Sequence, residues 1–201
     1  MNTYLDFIKR VMAVAHTGVT YSTDPYALEN YEELLELSKQ MLHQFSNQTI
    51  EPVDLYNGQR YPTPQPTVRV LIVQDGQFCM VKEQYGPAKD QWSLPGGWCD
   101  IGKSPVEAAM AEGQEESGIP IRIVRLLAVM DRRFYMPSDI YSIYTLVFLA
   151  EPVGDAGDPN FEISEVGWFS LDQLPPLSFK ATKEELTIMV EAYKKGTVYI
   201  E

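Results

Sequence analysis

The chain has 201 residues, enough for one ordinary core plus an accessory segment. Its 45% hydrophobic and 11% aromatic content is that of a packed globular protein and excludes disorder, while a formal charge of −12 argues against a general nucleic-acid or membrane-surface binder. A small anionic ligand held by a local cation and a metal stays open. Cys79 and Cys99 are too few for a disulfide framework. No signal peptide or membrane-length apolar run is read, so the cytoplasm is the expected compartment.

Residues 1–48 read as a helical hairpin. Tyr4, Phe7, Ile8, Val11, Met12 and Val14 recur at helical spacing, and Gly18 is expected to end that helix. Asp24 and Pro25 supply a cap and a first position for a second helix. Its apolar stripe runs through Tyr26, Leu28, Tyr31, Leu34, Leu35, Leu37, Met41 and Leu42. Two such helices cannot bury both stripes alone. They should pack on the rest of the chain or on a second copy, and a homodimer is expected. His16 reads as a packing or hydrogen-bonding residue of the hairpin.

Residues 49–66 form a Pro-rich linker, with Tyr56 and Tyr61 part of a structural strap. The main domain then spans 67–201. Val68 to Val73 and Phe78 to Lys82 are strands joined by an Asp75-Gly76 hairpin turn. Trp92 to Leu94 leads into a glycine turn at Gly96 and Gly97. Further strands are expected at Ile121–Met130, Tyr141–Ala150 and Val166–Phe169, with a brief helix in SLDQLPPLS and a closing helix at Thr182–Lys194. Strands interleaved with two helices predict an α/β fold, a mixed sheet sandwiched between helices in an α/β/α arrangement.

The stretch LPGGWCDIGKSPVEAAMAEGQEESGI, Leu94 to Ile119, carries the chemistry. Ser104, Pro105 and Glu107 make a helix start with a capping box, and Gly118 followed by Ile119-Pro120 makes a stop. Between them Glu112, Glu115 and Glu116 stand three and four apart and so share one helical face. Two carboxylates about 6 Å apart at an effective dielectric of about 20 repel by roughly 3 kcal/mol. A hard divalent cation with oxygen ligands, Mg²⁺ or Mn²⁺, would relieve that repulsion. A solvated acidic face is the plainer alternative.

This segment resembles the Nudix box, G-x5-E-x7-R-E-U-x-E-E-x-G-U with U aliphatic. Gly97, Glu112, Glu115, Glu116, Gly118 and Ile119 match it. The resemblance implies metal ligands at Glu112, Glu115 and Glu116, with Gly96 as a backbone carbonyl donor. Lys103, Ala111 and Gly113 depart from the pattern, standing for its glutamate, arginine and aliphatic residue. Lys103 is expected to supply from the loop the positive charge that Ala111 no longer supplies. The run HTGVTYSTDPYALENYEELLELS resembles the N-terminal helical domain of a bacterial Nudix subgroup that hydrolyses nucleoside diphosphates linked to another moiety.

That resemblance implies a metal-dependent diphosphatase acting on a small molecule of the ADP-ribose or CDP-choline type. Glu115 is either a ligand or the general base. Further acidic candidates are Glu162, Glu165, Asp155 and Asp158. Arg132 and Arg133 are candidates to clamp phosphate, and Trp98 to stack on a base. The alternatives are a nucleotide-binding module with weakened turnover, which the altered box would favour, and an RNA-directed hydrolase, which the acidity disfavours.

Overall fold

The computed structural model describes residues 3–46, 54–136 and 139–201. They fall into two units. One gathers the described residues of 1–65 with those of 136–142; the other comprises Pro66–Tyr135 and Ile143–Glu201.

The first unit is a helical hairpin of α1 (Thr3–Tyr21) and α2 (Pro25–Ser46). Asp24 caps α2: its Oδ1 accepts from the Tyr26 N–H at 3.1 Å and its carbonyl from the Leu28 N–H at 2.9 Å. Leu5, Ile8 and Met12 of α1 meet Leu42 of α2 and Tyr56 in a small core. Tyr56 is therefore a strap residue in this unit, whereas Tyr61 is exposed. Residues 47–53, which include the end of the expected hairpin segment and the first part of the linker, lie outside the described residues. Asp54 places a carboxylate oxygen 3.7 Å from His16 Nε2, too far for a hydrogen bond, and His16 Nδ1 is buried without a hydrogen-bond partner among the described residues, so the histidine is a packing residue of the hairpin.

Gly18 does not end α1. The helix runs on to Tyr21, and Gly18 lies under the Tyr31 ring of α2, where an added Cβ would fall 2.3–2.5 Å from three ring atoms. The glycine is needed for close helix–helix approach.

The second unit carries the sheet. Its strands are β1 (Gln65–Gln74), β2 (Gln77–Glu83), β3 (Trp92–Ser93), β4 (Ile121–Asp131), β5 (Ile143–Pro152), β6 (Ile163–Phe169) and β7 (Tyr199–Ile200). They are ordered β3-β2-β1-β5-β4-β7, with β6 on β2. β4 runs antiparallel to β5 and parallel to β7, so the sheet is mixed. Asp75 and Gly76, at φ 51° and 79°, make the hairpin turn between β1 and β2.

Two helices, α3 (Pro105–Ser117) and α4 (Lys183–Lys195), cover opposite faces. Alternation along each strand sorts the side chains. Leu71, Phe78, Met80, Val147 and Leu149 pack with Leu186, Met189 and Val190 of α4. Val68, Val70, Ile72, Cys79, Phe148 and Ala150 pack with Ala108 and Ala109 of α3. This is the expected α/β/α arrangement. Gly113, the glycine inside α3, lies against Ile121 and Val70, with an added Cβ only 2.5 Å from Ile121 Cδ1. It brings the acidic helix close to the sheet.

Two local expectations are corrected. SLDQLPPLS forms no helix: Pro175 and Pro176 lack the N–H that a helix needs, and the segment lies along β3 through Trp92 N–H to Pro176 O at 3.0 Å and Ser178 N–H to Trp92 O at 2.9 Å. The two-residue strand β7 follows α4 and was not expected; two residues are too short to show a period.

Replacing Gly18 by alanine should lower stability, although alanine favours a helix by about 1 kcal/mol. The ring contact outweighs that gain, since overpacking typically costs about 1–3 kcal/mol. A fall in melting temperature of about 2–6 °C is expected by calorimetry. In a Tyr31→Ala background, the same change should be neutral or stabilising.

Candidate active site

The phase of α3 is set at both ends. Ser104 accepts from the Glu107 N–H, Glu107 Oε2 accepts in return from the Ser104 N–H at 2.8 Å, and Pro105 follows the cap. Gly118 closes the helix at φ 67° with its N–H on Gln114 O. This phase turns Glu112 and Glu116, one turn apart, onto the glycine turn and leaves Glu115 exposed.

The turn itself is laced to β1. The Val70 N–H donates to Pro95 O and the Val68 N–H to Gly97 O, both at 2.9 Å. Gly96, at φ 143°, has its Cα so close to β1 that an added Cβ would lie 2.2 Å from Val68 O. Its N–H donates to Glu116 Oε2 at 2.8 Å. Glu112 lies over Gly97, where an added Cβ would be 2.8–3.0 Å from the carboxylate oxygens. Gly96 is thus required by its φ and its close approach to β1, while a side chain at Gly97 would displace the Glu112 carboxylate.

Burial pushes Glu116 up to about 7, against the pull of the Gly96 N–H and of Arg69. Burial also raises Glu112; Arg69 opposes the shift, while Glu115, Glu162 and Asp100 add to it. The cation that answers both acids is Arg69 of β1. It is 8% exposed, donates from Nη1 to Val68 O at 3.1 Å, and is lowered by burial with Glu116 as its strongest opposing charge. Behind it stand Arg132 and Glu185; Glu185 is held in the capping box of α4 by Thr182 and is raised by burial. Lys180 pairs with buried Glu83 at 2.6 Å and its charge also reaches Glu116.

The loop after β5 is pinned on the end of α3. The Gly157 N–H donates to Gly118 O at 2.8 Å and the Asn160 N–H to Glu115 O at 2.7 Å, meeting carbonyls that the helix end leaves open. That pinning brings Glu162 within reach of Glu112. Glu165 instead pairs with Lys82 at 3.1 Å, Asp155 is exposed, and Asp158 meets Gly118 through its backbone.

The remaining expected residues divide. Lys103 is exposed on the loop and pairs with Asp100 at 2.9 Å, the chief cause of its raised pKa; Glu115 and Glu112 act on it more weakly. The internal cation beside the box is Arg69, not Lys103. Arg132 is buried and donates to Phe179 O at 3.1 Å. The fork of Arg133 grips Asp131, with Nε at 2.9 Å and Nη2 at 2.5 Å from Oδ2. Arg132 is thus engaged in the interior, while the Arg133 side chain, held on Asp131, stays 41% exposed. Trp98 is half exposed beside the turn, whereas Trp92 is buried edge-on against Phe169, ring centroids 4.9 Å apart.

Sequence reasoning missed Arg69, Glu83, Lys180 and Glu185. Only Arg69 left a signal, a lone charge within the apolar run TVRVLIV.

Among the described residues, no three His, Cys, Asp or Glu side chains are already gathered as metal ligands. The donors nevertheless fit a hard divalent cation in kind. They are carboxylate oxygens, and Glu112, raised first by burial and then by its acidic neighbours Glu115, Glu162 and Asp100, is one that an added cation would relieve.

A family model of the NUDIX domain matches residues 63–189. The chain belongs to the Nudix hydrolase family. A second model, described as a UDP-X-like N-terminal oligomerisation domain, matches residues 2–56. YjhB of Bacillus subtilis (strain 168), provisionally assigned as an ADP-ribose pyrophosphatase, is 36% identical over 192 residues, 94% of this chain and 91% of that protein. The crystal structure of a UDP-X diphosphatase aligns with TM-score 0.65 and 31% identity, covering 99% of this chain and 98% of that one. An ADP-ribose pyrophosphatase from Streptococcus suis 89-1591 aligns with TM-score 0.61 and 32% identity, over 69% of this chain and 100% of that one. This Nudix chain is therefore an enzyme of the pyrophosphatase kind, related to ADP-ribose and UDP-X diphosphatases.

The burial of Glu116 makes a pH-dependent contribution to stability. Folding favours its protonated form, so the contribution is complete below the ordinary value of 4.5 and is lost as pH rises through about 7. With chelator present, Glu116→Gln should stabilise the protein at pH 8, by at most about 3 kcal/mol at roughly 1.4 kcal/mol per unit, and should change little at pH 4. Thermal melts at the two pH values test this; equal differences at both would refute it.

Proposed function

We propose that this Nudix enzyme hydrolyses the pyrophosphate bond of a nucleoside diphosphate linked to another moiety, with a divalent cation, Mg²⁺ or Mn²⁺, held by the box. Products would be a nucleoside monophosphate and a phosphorylated X group. The carrying observation is the pair Glu112 and Glu116, brought by one helical turn onto the Gly96-Gly97 backbone. Relatives named for ADP-ribose, and the match to a UDP-X-like N-terminal domain, support the substrate class.

Glu112 and Glu116, with Glu115 and the Gly96 carbonyl, would hold the ion. When bound, such an ion neutralises phosphoryl charge and makes a water acidic enough to attack phosphorus. Arg69 favours the charged form of both carboxylates from within, against the effect of burial. Glu162, exposed and within reach of Glu112, is suited to accept a proton from the attacking water, as is Glu115. Trp98 offers a half-exposed ring beside the turn on which a base can stack. Buried Arg132 acts on phosphate only by leaving Phe179 O, so its place is behind the site, whereas Arg133, partly exposed but paired with Asp131, stays a candidate to hold phosphate.

The hairpin supports a homodimer. Tyr4, Phe7 and Tyr26 are 77%, 63% and 80% exposed, and Leu37 and Met41 about half. Light scattering should give twice the chain mass of 22.8 kDa.

The deciding experiment offers ADP-ribose, CDP-choline and a UDP-sugar with and without Mg²⁺ or Mn²⁺, and reads the monophosphate released. Release should require the metal. It should fall about 100-fold or more in Glu112→Gln and Glu116→Gln, corresponding to roughly 3 kcal/mol of lost transition-state stabilisation. Lys103→Ala should stay within about threefold, as an exposed pair contributes little. The departures at Lys103, Ala111 and Gly113 favour the second reading, a binding module with weakened turnover; nucleotide binding without metal-dependent release would select it.

A further inference from the structure

We propose that Arg69, reaching in from β1, supplies the positive charge that Ala111 leaves absent from the acidic helix and positions its carboxylates. It holds the Glu112–Glu116 edge of the site, an inference that rests on those carboxylates being the metal-binding side.

The helix that bears the acids, PVEAAMAEGQEES, contains no lysine or arginine. Its charge must be answered from elsewhere. Lys103 is spent on Asp100 at the surface. Arg69 interrupts an otherwise apolar strand at a buried position, where an unanswered guanidinium would be strongly destabilising. Three successive contacts join it to the acids. Its Nη1 donates to Val68 O at 3.1 Å. Val68 O packs on the Gly96 Cα, with room for no Cβ between them. The Gly96 N–H then holds Glu116 Oε2 at 2.8 Å. Arg69 is also the foremost cation acting on both Glu112 and Glu116. The positive charge has thus moved from helix to strand, from the acids' own backbone to the wall behind the glycine turn. Arg69 touches no substrate and acts only through Glu112, Glu116 and Gly96.

The test measures Mn²⁺ binding to the full chain by the electron paramagnetic resonance signal of free Mn²⁺, beside turnover of whichever substrate the panel selects. Arg69→Met fills similar space without charge. It should weaken Mn²⁺ binding by about 10–100-fold, the usual effect of losing a group that orients ligands. Arg69→Lys should recover part of the loss. Adding Ala111→Arg to Arg69→Met should recover binding as well, because the charge returns to the helix. A packing role alone predicts that Met serves at least as well as Lys. Unchanged binding in Arg69→Met, or no recovery with Ala111→Arg, overturns the proposal. Should Arg69→Met fail to fold, Arg69→Gln with Ala111→Arg takes its place: retained binding supports the role and lost binding overturns it. Wild-type protein that binds no Mn²⁺ would instead overturn the metal-dependent function.

Discussion

Glu116 gives up most of its water to lie on the backbone of a glycine turn, and the sheet unit is shaped around that exchange. A buried carboxylate is costly unless hydrogen bonds and opposite charge answer it. Here one backbone N–H and one buried arginine answer it in part, and burial still pushes the acid up to about 7. In the function proposed above, a divalent cation would answer the remainder. Gly96 is a glycine because its backbone lies against β1 at φ 143°, and Gly97 leaves the space that the Glu112 carboxylate fills.

Charge then alternates inward from the site. Glu112 and Glu116 face Arg69; behind it lie Arg132 with Glu185, and Lys180 with Glu83. Each acid is near a cation and each cation near an acid, so no single charge is stranded in the low-dielectric interior. The pattern ties the acidic helix, the glycine turn, β1 and the start of α4 into one electrostatic unit. It also explains why Arg132 and Arg133, though placed after a strand like phosphate clamps, are engaged within the protein.

Local signals were legible wherever the information lies within a few residues. The capping box at Ser104, the left-handed stop at Gly118 and the Asp75-Gly76 turn all follow from short-range sterics. Gly18 and Gly113 answer instead to contacts beyond their own helices. Gly18 looks like a stop but serves a ring on the next helix, and Gly113 looks like a helix defect but serves Ile121 on the sheet. A glycine chosen for contact carries the same letter as one chosen for φ.

By itself, the sequence determined which residues share a helical face, where that helix begins and ends, and that three acids would crowd together on it, because helical geometry converts spacing into proximity. Only the tertiary structure decided which of the acids turn inward, which loop acid joins them and which cation answers them. Arg69 lies 43 residues before Glu112 and Glu162 lies 50 after it, and the separation along the chain says nothing of their meeting. Sheet order and a pinned loop bring them together, and in a buried site the partners that set charge come from whichever strand or loop passes by.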